Sequence, residues 1–74
     1  MDENLTKVKI GKGIAAWRIK KGLSQDKLGQ LVNTDRYQIS RLELGKRNIK
    51  AIPLFEIIEA LDITLSEFFK SIDM

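Results

Sequence analysis

Arg36, Tyr37, Gln38 and Arg41 sit in a stretch of chain whose apolar members are Ile39 and Leu42. Their side chains suit the edges of stacked base pairs. An arginine fork matches O6 and N7 of guanine, a glutamine amide matches N6 and N7 of adenine, and a tyrosine can meet a thymine methyl group or a phosphate. Wound as a helix at about 100° per residue, the stretch turns Tyr37 and Arg41 about 160° away from Ile39, with Arg36, Gln38 and Ser40 beside them. On an isolated helix these would be no more than solvated positions. What gives them meaning is the chain on either side.

Ser24 is a helix N-cap and Asp26 an anion in the first turn, where the helix dipole favours one. Leu28, Leu31 and Val32 form the expected buried stripe of that helix. Asn33 follows, a residue type that tolerates positive φ. Asp35 then caps the next helix, and Gln38 three residues on comes close to a capping box. Gly45 closes it. Two short amphipathic helices joined by so tight a turn read as a helix-turn-helix. Residues 45–51 form a basic loop, and Lys46, Arg47 and Asn48 are expected to touch phosphates, together with Ser40 and with Gln25 at the start of the preceding helix. Lys7, Lys9 and Lys12 are open to the same role or to ordinary solubility.

Three further helices frame this pair. The first is expected over about Lys7–Lys21, with Ile10, Ile14 and Trp17 on one face and Met1 to about Thr6 frayed. Its interior Gly11 and Gly13 each cost about 1 kcal/mol of helix propensity, so a firm helix is expected only from Gly13 onward. The fourth opens with Pro53 at its first position and carries Leu54, Ile57, Ile58 and Leu61 inward. The fifth has the sharpest start: Thr64 and Glu67 as a capping box, with Ile63 and Phe68 as a hydrophobic staple. The fold expected is all-α, a compact five-helix arrangement over residues 1–74 with its core at about 8–70.

The composition excludes several classes. The 74 residues include no cysteine and no histidine, which removes disulfide frameworks and the usual zinc sites. No apolar run approaches the roughly 20 residues that span a bilayer, so no membrane role is expected. Lysines near the N-terminus lack the apolar stretch of a secretory signal. No glycine-rich phosphate loop is present, and Glu56 and Glu59 read as solvated, so neither an enzyme nor a cofactor or metal is expected. Charge is lopsided: residues 1–50 carry twelve Lys or Arg against five Asp or Glu, and residues 51–74 carry one against five. A basic front and an acidic back suit a polyanion binder.

The blocks Gly22-Leu23-Ser24-Gln25, Leu28, Ile39-Ser40-Arg41-Leu42-Glu43 and Gly45-Lys46-Arg47 resemble the lambda-repressor-like helix-turn-helix family, of the Cro/CI or XRE type. The tail Leu54…Ala60-Leu61-Asp62-Ile63…Phe68-Phe69 resembles that family's last two helices. The resemblance covers roughly residues 8–70. It implies a five-helix domain, a third helix (about 36–44) in the major groove, and homodimers on pseudo-palindromic operators. It also implies that Arg18 and Glu43 form a partly buried salt bridge. The chain departs from the family at Gly29, where alanine is usual, and at Asn33 and Asp62, where glycine is usual. Phage repressors, antitoxin-type autoregulators and restriction–modification controllers share this outline; Glu43-Leu44-Gly45-Lys46-Arg47-Asn48-Ile49 is mildly similar to the controllers.

One copy covers a few base pairs, so two copies at about 34–36 Å are expected on a double-stranded DNA operator. The interface expected is Leu65, Phe69 and Ile72, with Ile49 and Ile52, although internal core explains the same residues equally well. RNA polymerase or a toxin are further partners such a regulator could take, and cytoplasmic, nucleoid-associated placement follows from the function. The alternative is an antitoxin-like protein-interaction module with weak or no specific DNA binding.

Overall fold

The computed structural model describes residues 2–73, the side chain of Ile52 excepted. Five helices follow one another: α1 (Glu3–Lys20), α2 (Gln25–Leu31), α3 (Arg36–Glu43), α4 (Ala51–Ala60) and α5 (Leu65–Ser71), with no strand among the described residues.

Three of the four connections are the same four-residue corner. Gly22, Asn33 and Asp62 take φ of 74°, 59° and 57° one residue past the C-cap. The next N–H reaches back to close the helix end: Leu23 to Arg18 O at 3.0 Å, Thr34 to Gly29 O at 2.8 Å and Ile63 to Ile58 O at 3.5 Å. The fourth residue is an N-cap. Ser24, Asp35 and Thr64 accept from the backbone N–H of Lys27, Gln38 and Glu67. Asn33 thus does what its side chain permits, and Asp62 does the same in place of a glycine.

The N-terminus differs from expectation. α1 begins at Glu3, because the Asp2 carboxylate caps Asn4 N at 2.9 Å and Leu5 N at 3.3 Å. Nor do the interior glycines weaken the helix; both are buried within it. A Cβ on Gly11 would collide with the backbone carbonyls of Leu42 and Glu43, so its absence lets α1 lie directly on the last turn of α3. The propensity penalty is offset by this contact between helices. α4 also begins earlier than expected, at Ala51 after the N-cap Lys50, which makes no side-chain capping bond. Pro53 is therefore its third residue, where an N–H would still lack an intrahelical partner, so the ring costs nothing.

All five helices close on one core. Ile14, Leu28, Ile39 and Phe68 are fully buried, and Leu42, Leu54, Ile57, Ile58 and Leu61 nearly so. Each such side chain contributes roughly 1.5–3 kcal/mol. Leu31 departs from its expected place in the stripe of α2: it is 50% exposed, while Val32 packs against the core. No helix is long and apolar enough to cross a membrane.

Candidate nucleic-acid interface

The placement of α3 follows from its two faces. Ile39 is sealed beneath it and Leu42 nearly so, whereas Tyr37 on the opposite side is 64% exposed. Arg36 is exposed, and Gln38, Ser40 and Arg41 are half-buried along the flanks. The start of the helix is held by Asp35, whose carboxylate accepts from Gln38 N at 2.9 Å. Its end is held by α1 through Gly11 and by an ion pair.

That pair is Arg18 and Glu43, from α1 and α3. Arg18 Nε lies 2.6 Å from Glu43 Oε2 and its Nη2 lies 3.1 Å from Oε1, a two-pronged contact. The side chains are only 13% and 7% exposed. A third arginine N–H donates to Leu23 O at 2.8 Å, which ties the pair to the α1–α2 corner. Such a desolvated pair adds little net stability, but it fixes the angle of α3 against α1. The expected bridge is therefore present.

Gln25 departs from its expected role. Its Nε2 donates to Glu43 Oε1 at 3.0 Å, so the amide braces the ion pair and keeps only part of its hydrogen-bonding capacity for a phosphate. Nothing in its sequence position signalled this; it follows from the way α2 and α3 cross. Arg36 lies nearby, lining a shallow groove with Arg18, Ser24, Gln25 and Asp26.

The residues expected to read bases are not independent of one another. The Arg41 guanidinium lies 5.7 Å from the centre of the Tyr37 ring, a cation–π distance, and its Nη2 reaches Lys46 O at 3.4 Å. Arg47 Nη1 donates to Gln38 Oε1. Gln38 therefore does not return to the backbone of Asp35, and the expected capping box at α3 is only half made. Of the residues expected at phosphates, Lys46 and Arg47 are exposed beside α3. Asn48 turns the other way: its Nδ2 lies 3.4 Å from Glu3 Oε1, fastening the loop to the first turn of α1. Asp2 ahead of Glu3 is the capping signal that reveals this turn, and treating the segment as frayed conceals it.

The residues expected at a dimer contact split into two groups. Leu65 is 44% exposed. Phe69 sits edge-on to Phe68 with ring centroids 5.4 Å apart, and Ile72 covers Gly13, so both belong partly to the chain's own core. Ile49 likewise packs against the core from the loop. Ile52 lies outside the described side chains.

A cationic, outward helix set behind a capped helix and a four-residue turn defines a helix-turn-helix, a device for reading a DNA duplex. The helix-turn-helix family model matches residues 14–68. The chain belongs to that family of DNA-binding regulators, of the XRE or Cro/CI type, and not to a family of enzymes. It is 37% identical over 71 residues to the control protein C.MunI from a Mycoplasma species, covering 95% of this chain and 96% of that one. The crystal structure of the restriction–modification controller C.AhdI from Aeromonas hydrophila superposes with a TM-score of 0.86 at 35% identity, covering 93% of this chain and 100% of that one. The controller C.Esp1396I, solved as a tetramer with its natural 35 base-pair operator, gives a TM-score of 0.82 at 30% identity over 89% of this chain and 87% of that one.

Proposed function

We propose that this protein is a transcriptional regulator that binds a pseudo-palindromic operator as a homodimer, as a controller of a restriction–modification system. The observation that carries the reading is the stance of α3: Ile39 sealed below, Tyr37 exposed above, and cations on both flanks. Arg36, Tyr37, Gln38 and Arg41 read base edges, and Ser40, Lys46, Arg47 and the remaining capacity of Gln25 hold phosphates, while Asn48, turned to Glu3, secures the loop that carries Lys46 and Arg47. The likeness to C.MunI, C.AhdI and C.Esp1396I supports the controller reading over the phage and antitoxin ones.

Dimerisation joins two half-sites about 34–36 Å apart. Leu65 and Phe69 lead the interface, Ile49 contributes from the loop, and Ile72 contributes least because it already covers Gly13. The acidic α4–α5 surface, with Glu56, Glu59 and Asp62 exposed, is the face available to RNA polymerase once the basic side is on DNA. The site of action is then the cytoplasm, at the nucleoid.

Selection of bound duplexes from random DNA tests the proposal. A two-fold symmetric motif is expected to emerge. Arg41→Ala is expected to blunt its sequence preference at a cost of about 1–3 kcal/mol, and Lys46→Ala to weaken all sequences alike and reduce the salt slope by about 1. Recovery of unrelated sequences would sink the reading. A monomer in sedimentation at micromolar concentration, with operator present, would sink the dimer.

A further inference from the structure

Sequence reading assigns Gln38 and Arg47 separate tasks, one at an adenine and one at a phosphate. The structure joins them: Arg47 Nη1 donates to Gln38 Oε1. The geometry points to Arg47 as a specificity-determining residue that fixes the amide of Gln38 and makes it read guanine instead of adenine. This rests on α3 entering the major groove, as proposed above.

Glutamine reads adenine with both ends of its amide. The carbonyl accepts from N6–H and the amino group donates to N7. Here a guanidinium already donates to that carbonyl. A second lone pair remains, so valence does not forbid adenine. Electrostatics disfavours it: the adenine amino group would bring a positively polarised N–H to an oxygen that already faces a full positive charge. Guanine presents acceptors at both N7 and O6 in the major groove. The joined pair offers only donors outward, the Nε2 hydrogens of Gln38 and the remaining N–H groups of Arg47. Donors meet acceptors at guanine, and donors meet a donor at adenine.

The pair is prearranged without DNA. Gln38 N is held by Asp35, which fixes the backbone from which the amide projects. Arg47 is held by its neighbours on both sides: Lys46 N donates to Arg41 O at 3.0 Å, and Asn48 reaches Glu3. A guanidinium also sets the amide orientation, because only the oxygen can face its N–H donors.

The test is the random-DNA selection run in parallel on wild type, Gln38→Ala and Arg47→Met. Loss of preference in Gln38→Ala identifies the base that Gln38 reads. Wild type is expected to prefer guanine there. Arg47→Met is expected to move the guanine-to-adenine ratio at that one position by about tenfold toward adenine, in keeping with the discrimination of a single paired contact, and to leave the rest of the motif unchanged. Adenine at that position in wild type would overturn the inference. So would an Arg47→Met protein that binds every site more weakly yet keeps guanine, since that is the signature of a phosphate contact alone. A wild-type motif with no Gln38-dependent position overturns this inference only, whereas no motif at all overturns the DNA-reading proposal beneath it. Both residues lie outside the buried core, and unchanged far-ultraviolet circular dichroism of the variants verifies that the fold persists.

Discussion

The α2–α3 and α4–α5 corners have the same backbone and opposite uses. Each runs from a C-cap through a left-handed residue to an N-cap, Val32-Asn33-Thr34-Asp35 in one and Leu61-Asp62-Ile63-Thr64 in the other. They part at the third residue of the second helix. Glu67 turns back to accept from Thr64 N at 3.0 Å while its own N–H donates to Thr64 Oγ1 at 3.0 Å, and the capping box is complete. Gln38 holds the equivalent place but gives its side chain to Arg47. At α5 the local hydrogen bonds are spent on the helix itself. At α3 half of them are released to the surface, and the helix relies instead on Arg18, Glu43 and the contact at Gly11 for its position. A helix that must present its side chains to another molecule is anchored from below and behind, not by its own outer face.

The shared core gives the largest test of how separate the corners are. Phe68 is fully buried at α5, and Phe68→Ala is expected to cost about 3–5 kcal/mol. Because Ile14, Ile39 and Phe68 belong to one cluster, both corners should unfold together. Trp17 fluorescence and helical circular dichroism followed through a urea titration should then coincide. Two separated transitions would show that the corners are independent units.

Breaking the anchor comes next. Glu43→Ala leaves Arg18 half-buried without its carboxylate, and about 2–3 kcal/mol of destabilisation is expected in the same titration. Operator affinity measured well below the unfolding midpoint should fall too, because the angle of α3 is no longer fixed. An unchanged affinity in a folded variant would mean that Gly11 and the core position α3 unaided.

The left-handed residues allow a finer comparison. Asp62→Asn is expected to raise stability by about 0.3–1 kcal/mol, since it removes an anion from the negative end of α4 while keeping a side chain that tolerates positive φ. Asn33→Asp is the mirror change and should lower stability by a similar amount at the end of α2. Equal responses of the same sign would show that charge at the helix end is not what distinguishes the two corners.

The smallest effect is one of pH. The backbone N–H of Thr64 holds the Glu67 carboxyl below its ordinary value, with a further lowering from the Thr64 side chain. A carboxyl depressed in the folded state stabilises above its unfolded pKa and loses that contribution as pH falls through its folded pKa. Thermal unfolding of the wild type should therefore be slightly more acid-sensitive than that of Glu67→Gln. The α3 corner, whose equivalent residue is the uncharged Gln38, should contribute no such difference when Gln38→Ala is compared.

Much of the architecture is legible in local residue types. Ser24, Asp35 and Thr64 as caps, Gly22 and Asn33 as left-handed residues, and the apolar positions Ile14, Leu28, Ile39 and Phe68 all act through contacts within a turn or two of helix, or through a periodicity that a helix enforces. The outward set on α3 follows from the same periodicity. The starts of α1 and α4 are less legible, one because the cap at Asp2 stands in a polar segment and the other because proline is tolerated anywhere in a helix's first turn.

What the chain determines alone is therefore the list of helices, most of their ends and most of the inward face of each, since these rest on propensities and spacings a few residues long. Tertiary structure decides the rest: that Gly11 is a seat for α3 and not a weak point, that Gln25 braces Glu43, that Asn48 meets Glu3 forty-five residues away, and that Arg47 meets Gln38. These pairings depend on the crossing of helices and the path of a loop, and a side chain's partner is set by what the fold brings within reach, not by its neighbours in sequence.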